Sequence, residues 1–161
     1  MPFIGIIAEE KSENYIRRQI VEKLKLRESS VLFIKEKSIE NIRNIKFETI
    51  ILARKFKNMK LLNKMLENTV YLIVNTDRIK DIEELYKQNL KIITFGFNSK
   101  AQITASSVTD DDILICIKQD MKTINGKTIE AQEIKVKDNA DAEAIMATTT
   151  LLLLYEEKSV K

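Results

Sequence analysis

The chain has 161 residues, enough for one domain with a sizeable core, and its 44% hydrophobic and 32% charged residues exclude a disordered chain. Lys plus Arg number 27 against 24 Asp plus Glu, a net +3 that is too balanced to point to nucleic acid. His is absent, which removes the commonest general acid or base and the commonest metal ligand.

The first segment, Met1-Pro2-Phe3-Ile4-Gly5-Ile6-Ile7, has no basic flank and meets Glu9 and Glu10 within a few residues. It reads as a strand and not as a secretory signal. Five short β-branched runs follow one another: Phe3–Ile7, Val31–Ile34, Thr49–Ala53, Val70–Val74 and Lys91–Phe95. Apolar at adjacent positions, they fit strands buried on both faces of a parallel sheet. Between the first two, Ile16, Ile20, Val21 and Leu24 recur at helical spacing from an N-cap at Ser12 to Leu26. Met59, Leu62 and Leu66 predict a second helix, and Ile79, Ile82, Leu85 and Tyr86 a third. After Gly96 the rhythm changes. Gln102–Val108, Ile113–Gln119 and Lys127–Val136 read as strands, with a hairpin turn at Asn125-Gly126 because both residues tolerate positive φ. Residues 140–157 form a closing helix that is apolar around most of its girth. The expectation is one α/β domain: a Rossmann-like, mostly parallel sheet flanked by helices over about 1–97, a small antiparallel sheet over about 101–137 forming a second layer, and the helix.

In such a domain the ligand site lies at the carboxyl ends of the strands. A phosphate-binding loop there needs Gly residues and a Lys. The first turn instead reads Ile7-Ala8-Glu9-Glu10-Lys11-Ser12-Glu13-Asn14, with no Gly and three acids. Lys11-Ser12 matches only the last two positions of such a loop, and a Lys-Ser pair before a helix is common. Further on, Val70-Tyr71-Leu72-Ile73-Val74-Asn75-Thr76-Asp77 is followed about fifteen residues later by Ile92-Ile93-Thr94-Phe95-Gly96-Phe97-Asn98-Ser99-Lys100-Ala101. These two stretches, and the order of elements over about four fifths of the chain, resemble the central domain of the Mur ligases. Those enzymes use ATP to add amino acids to the peptidoglycan precursor. The resemblance is to a strand ending in Asn-x-Asp-Asp, a helix, a strand ending in Thr-aromatic-Gly, a small antiparallel sheet and an Ala-rich helix, here Ala140–Ala147. It implies a bacterial protein linked to cell-wall synthesis.

The departures remove the chemistry that the resemblance would imply. The phosphate loop is missing, Arg78 stands for the second Asp, and Asp138-Asn139 stands for His-Asn. The third strand ends Arg54-Lys55-Phe56 where a Glu for Mg²⁺ would be, and the flanking domains of those enzymes do not fit into the length. ATP-driven ligation needs phosphate cradling, a metal and a closing domain, so the expected function is a non-catalytic Mur-ligase-like binding or interaction module. The alternative is a small nucleotide-binding protein, or a ligase-related enzyme, that uses the same crevice with other groups. The candidate ligand-binding set is Asn75 and Asp77 after the fourth run, Lys11 and Ser12 in the first turn, and Asn98 and Lys100 after the fifth. For Asn75 and Asp77 the other reading is a cap on the helix starting near Ile79. No catalytic residue, metal ligand or cofactor is expected. Asp110-Asp111-Asp112 reads as a solvated turn, Cys116 as a buried structural thiol, and Thr104, Ser106 and Ser107 as hydroxyls without a base. Arg54–Lys60 is a basic stretch that either meets an anion or forms a solvated loop. A lone Cys allows no internal disulfide. With no membrane span, a cytoplasmic protein is expected. Its partner would be an unidentified protein or a second copy, the latter if part of Leu151-Leu152-Leu153-Leu154 stays exposed.

Overall fold

The structure, a computed structural model, describes residues 2–42, 44–87 and 89–156. β1 (Ile4–Ile7) leads into α1 (Glu10–Leu24), which returns the chain to β2 (Val31–Phe33). A single turn, α2 (Ile39–Ile42), precedes β3 (Thr49–Leu52), and α3 (Met59–Leu66) connects β3 to β4 (Tyr71–Asn75). After β5 (Lys91–Phe95) come β6 (Ile103–Val108) and β7 (Ile113–Ile117). A hairpin of β8 (Met121–Lys122) and β9 (Thr128–Ile129) precedes β10 (Gln132–Val136) and α4 (Ala142–Leu154).

The fold is α/β, with a mostly parallel sheet of eight strands in the order β10-β7-β6-β5-β4-β3-β1-β2 and a separate two-stranded sheet, β8-β9. The five runs all form parallel strands, in the spatial order 2-1-3-4-5. Their alternate residues feed two cores. Ile4, Ile6, Ile51, Ile73, Ile93 and Phe95 face α1 and α4. Ile50, Leu52, Leu72 and Val74 face Leu62 and Leu66 of α3, together with Phe47 and Leu85. That two-sided burial is why these strands are continuously apolar.

Several expectations are corrected. The late strands do not build a second layer: β6 pairs parallel with β5 at Phe95 and Ile103, and β7 and β10 continue the same sheet antiparallel. Only the β8–β9 hairpin stands apart. In its turn Gly126 alone takes positive φ, +84°, while Thr123 holds both ends through its own amide and carbonyl. This is the longer, bulged form of hairpin and not a two-residue one. The third helix is a 3₁₀ turn at Ile82–Leu85. Ile79, Ile82 and Leu85 recur every three residues, the period of a 3₁₀ turn, and Tyr86 is exposed. Glu9, not Ser12, is the N-cap of α1, and Ser12 is buried in the first turn. The closing helix is shorter than 140–157, and Glu157 lies outside the described residues. No described helix is long and apolar enough to cross a membrane.

α4 packs on α1 and over β4, β5 and β6. Of the four consecutive Leu, Leu151, Leu153 and Leu154 are buried and Leu152 is half-buried, so the run leaves no large exposed patch. Leu151→Ala should cost about 2–5 kcal/mol through the cavity it leaves. That corresponds to a melting midpoint roughly 5–15 °C lower for a chain of this length. Leu152→Ala, measured in the same thermal scan, should cost less than half as much.

Candidate functional site

The order 2-1-3-4-5 reverses direction between β1 and β3, and the crevice at that reversal is where such folds place ligands. Here β1 stays paired to its end, Ala53 N–H bonding the Ile7 carbonyl at 2.8 Å and Ile34 N–H the Ile6 carbonyl at 2.9 Å. Beyond the strand ends, Lys35 and Glu36 follow β2, Arg54 follows β3, and α1 begins over Ala8. Together they line a cavity of about 360 Å³.

Four of the side chains lining this crevice, Glu13, Lys35, Glu36 and Arg54, are paired with one another. Arg54 donates from Nη1 and Nη2 to the two Glu36 oxygens at 3.0 and 3.1 Å, and from Nε to the Ala8 carbonyl at 3.2 Å. Glu36 also accepts from Lys57 N–H at 3.0 Å. The Arg54 hydrogen bonds, against the opposing effect of burial, lower the Glu36 carboxyl to about 2. Glu13, almost fully buried, pairs with Lys35 Nζ at 2.8 Å. So the anion that the basic stretch after β3 meets is Glu36 of the same chain.

A second cluster lies at the ends of β4 and β5. Asn75 closes β4, and its Oδ1 accepts from Asp77 N–H at 2.9 Å. Its carbonyl accepts from Arg78 and Ile79, a turn that no helix continues. The cap expected at this point is therefore formed, but the helix is not. The Asp77 carboxylate reaches across to the loop after β5, accepting from Phe97 N–H at 2.7 Å, Asn98 N–H at 3.0 Å and Asn98 Nδ2 at 2.7 Å. Burial would raise this carboxyl, but the bonds from Phe97 and Asn98 outweigh it and hold the group below its ordinary range. Asn98 Nδ2 also donates to Thr76 Oγ1 at 2.7 Å, and Asn98 Oδ1 accepts from Lys100 N–H at 2.9 Å. Gly96 sits beneath with φ +148°. A Cβ there would stand 3.0 Å from the Asp77 carboxylate.

The N-terminus of α4 closes the cluster. Asp141 caps it by accepting from Ala144 N–H and pairs at 3.9 Å with Lys11, while Arg78 binds Glu143 through two nitrogens at 3.0 and 3.4 Å. Thus Asn75, Asp77 and Asn98 are brought together, and Lys11 is held against α4. Lys100 takes part only through its backbone, and Ser12 is buried within the first turn of α1. Asn75 is fully buried on the α1 and α4 side, and its Nδ2 has no hydrogen-bond partner. Sequence reasoning missed Glu36, Asp141 and Glu143, whose only signal is a position just beyond a strand or at a helix start.

Elsewhere the Asp110–Asp112 run is the β6–β7 turn, held by Thr109, with Thr109 N–H on the Asp112 carbonyl at 2.9 Å. Cys116 is half-buried, not buried, on a sheet face that neither core reaches. No family model matches the chain, nor does any curated protein.

Gly96→Ala should destabilise by about 1–3 kcal/mol in urea unfolding, because φ is left-handed and the methyl displaces Asp77. The Glu36 pair predicts a pH dependence. A folded-state value of about 2 against the ordinary 4.5 stabilises above pH 4.5, and that stability is lost as the pH falls toward 2. Glu36→Gln should therefore lower the urea midpoint at pH 7, with the gap from wild type closing by pH 2–3.

Proposed function

We propose that the chain is a non-catalytic relative of the Mur ligase central domain, acting as a binding or interaction module in a cell-wall context. The observation that supports this reading is the internal pairing of the carboxyl edge: Lys11 with Asp141, Lys35 with Glu13, Arg54 with Glu36 and Arg78 with Glu143. A bound triphosphate needs cations free to meet it, and Lys35, Arg54 and Arg78 are held at 2.8 to 3.0 Å by carboxylates of the same chain, with Lys11 at 3.9 Å from Asp141 the loosest of the four. Glu9 and Glu10 add negative charge at the start of α1, where a phosphate would otherwise sit on free N–H groups. Asp77 and Asn98, two of the residues behind the resemblance, are occupied in joining two loops.

A second reading, a small nucleotide-binding protein, draws on one observation: the unpartnered Nδ2 of buried Asn75 is a spare donor beneath the helix starts. The two readings part in one experiment. On the first, ATP with Mg²⁺ leaves the melting midpoint unchanged and no phosphate is released above a buffer blank. Binding at 100 times the dissociation constant would instead add about 2.7 kcal/mol, a shift that Asn75→Ala should abolish if the second reading holds. Phosphate release that disappears in Lys11→Ala would overturn the non-catalytic assignment.

A further inference from the structure

The two edges of the eight-stranded sheet are finished differently. β2, at one edge, has three residues, and Arg17 covers it, donating to the Val31 carbonyl at 3.1 Å and the Glu28 carbonyl at 2.8 Å. β10, at the other edge, has five residues. Outside its ladder with β7, the backbone of Glu133 to Val136 makes no hydrogen bond among the described residues. An edge of this kind is a template for another strand unless its side chains forbid pairing. On β10 they favour one pairing. Glu133 and Lys135 are exposed, of opposite sign and two residues apart, so they lie on one face. Ile134 and Val136 lie on the other, half-buried against the α4 core.

We propose that β10 pairs antiparallel with β10 of a second copy about a twofold axis at Ile134, so that one sheet runs through a dimer. In this register Glu133 stands opposite Lys135 of the partner subunit, Lys135 stands opposite its Glu133, and the two Ile134 side chains meet. One strand thus supplies two opposite-charge pairs through the symmetry of an isologous contact. Sliding the register by two residues sets Glu133 against Glu133 or Lys135 against Lys135, and in-register parallel pairing sets both like charges together. The charges therefore select the register. Their contacts within the subunit, Ser106 Oγ to Glu133 at 3.2 Å and Lys135 Nζ to Asp112 at 3.7 Å, are exposed and leave both groups with free hydrogen-bonding capacity. β7 already orders each β10, which lowers the entropic cost of pairing. Two five-residue strands bury little area, so the dimer belongs to the weak class. It rests on the edge strand alone and stands whether or not the carboxyl-edge crevice binds a nucleotide.

Sedimentation equilibrium of the full chain, from micromolar to millimolar at low salt, tests the proposal with a charge exchange. Wild type should move from 18.6 kDa toward twice that mass with concentration. Glu133→Lys and Lys135→Glu should each weaken self-association by about tenfold or more, since both turn two attractive pairs repulsive. An equimolar mixture of the two variants, and the double variant carrying both changes, should recover the dimer because opposite charges face each other again. That recovery also shows that the single variants are folded. Wild type at 18.6 kDa throughout, a dimer insensitive to both single changes, or a mixture that stays monomeric would each overturn it.

Discussion

A parallel sheet must be covered on both faces, and here one helix from the end of the chain completes the cover. α1 lies over β1 and β2, and α3 and the short turns fill the opposite face, which leaves β4, β5 and β6 bare beside α1. α4 returns to fill that gap, resting on the strands below and on α1 beside it. A helix enclosed in this way has almost no polar side, so Ala144, Ile145, Met146, Ala147, Leu151 and Leu154 are all nearly inaccessible. At roughly 1.5–3 kcal/mol for each large side chain, these contacts are a substantial part of what holds the two halves of the chain together. Both ends of α4 are then tied down. Tyr155 donates from its hydroxyl to Glu48 and accepts from Thr49, each at 2.7 Å, at the amino ends of the strands. Burial pushes that phenol well above its ordinary range, so it stays neutral throughout the physiological range.

The same placement decides the electrostatics of the candidate site. α1 and α4 both start at the carboxyl edge of the sheet, so two positive helix ends face the same region. In a nucleotide-binding domain that field is left open for phosphate. Here Glu10 and Glu13 lie in the first turn of α1, with Asp141 and Glu143 at the start of α4. Lys11 and Arg78 then bridge from α1 and the β4 loop to those α4 carboxylates. Most of these groups are exposed, and exposed ion pairs add little stability singly. What they do is set carboxylates of the chain itself at both helix starts.

What could be read from the residues alone divides along the range of the interactions. β1 to β5 were legible because burial on both faces forces continuous apolar, β-branched runs, and α3 because Met59, Leu62 and Leu66 keep helical spacing; its Asn58 cap emerged only with the structure. The spatial order 2-1-3-4-5 and the joining of β6, β7 and β10 to the same sheet depend on pairings such as Phe95 with Ile103, which leave no local pattern. The segment after Asp77 failed for a narrower reason: residues three apart satisfy an α-helix and a 3₁₀ turn almost equally well, and here the chain forms only the 3₁₀ turn. At the site, Asn75, Asp77 and Asn98 stood out by their positions beside strand ends. Glu36, Asp141 and Glu143 did not, because a charged residue in a loop looks solvated until the fold supplies its partner.

Asn75, Asp77, Gly96 and Asn98 have a mechanical reason to occur together. β4 and β5 are adjacent parallel strands, so the loops leaving them run side by side and must be held there. Asp77 does this by accepting three N–H bonds from Phe97 and Asn98, and Asn75 fixes Asp77 through its backbone amide. For the carboxylate to come this close, the residue at the end of β5 must lack a Cβ and accept a left-handed backbone, which restricts position 96 to glycine. Asn-x-Asp at one strand end and Gly-x-Asn at the next are therefore two halves of a single joint. Such a joint fixes the loops after β4 and β5 side by side at the carboxyl edge of the sheet.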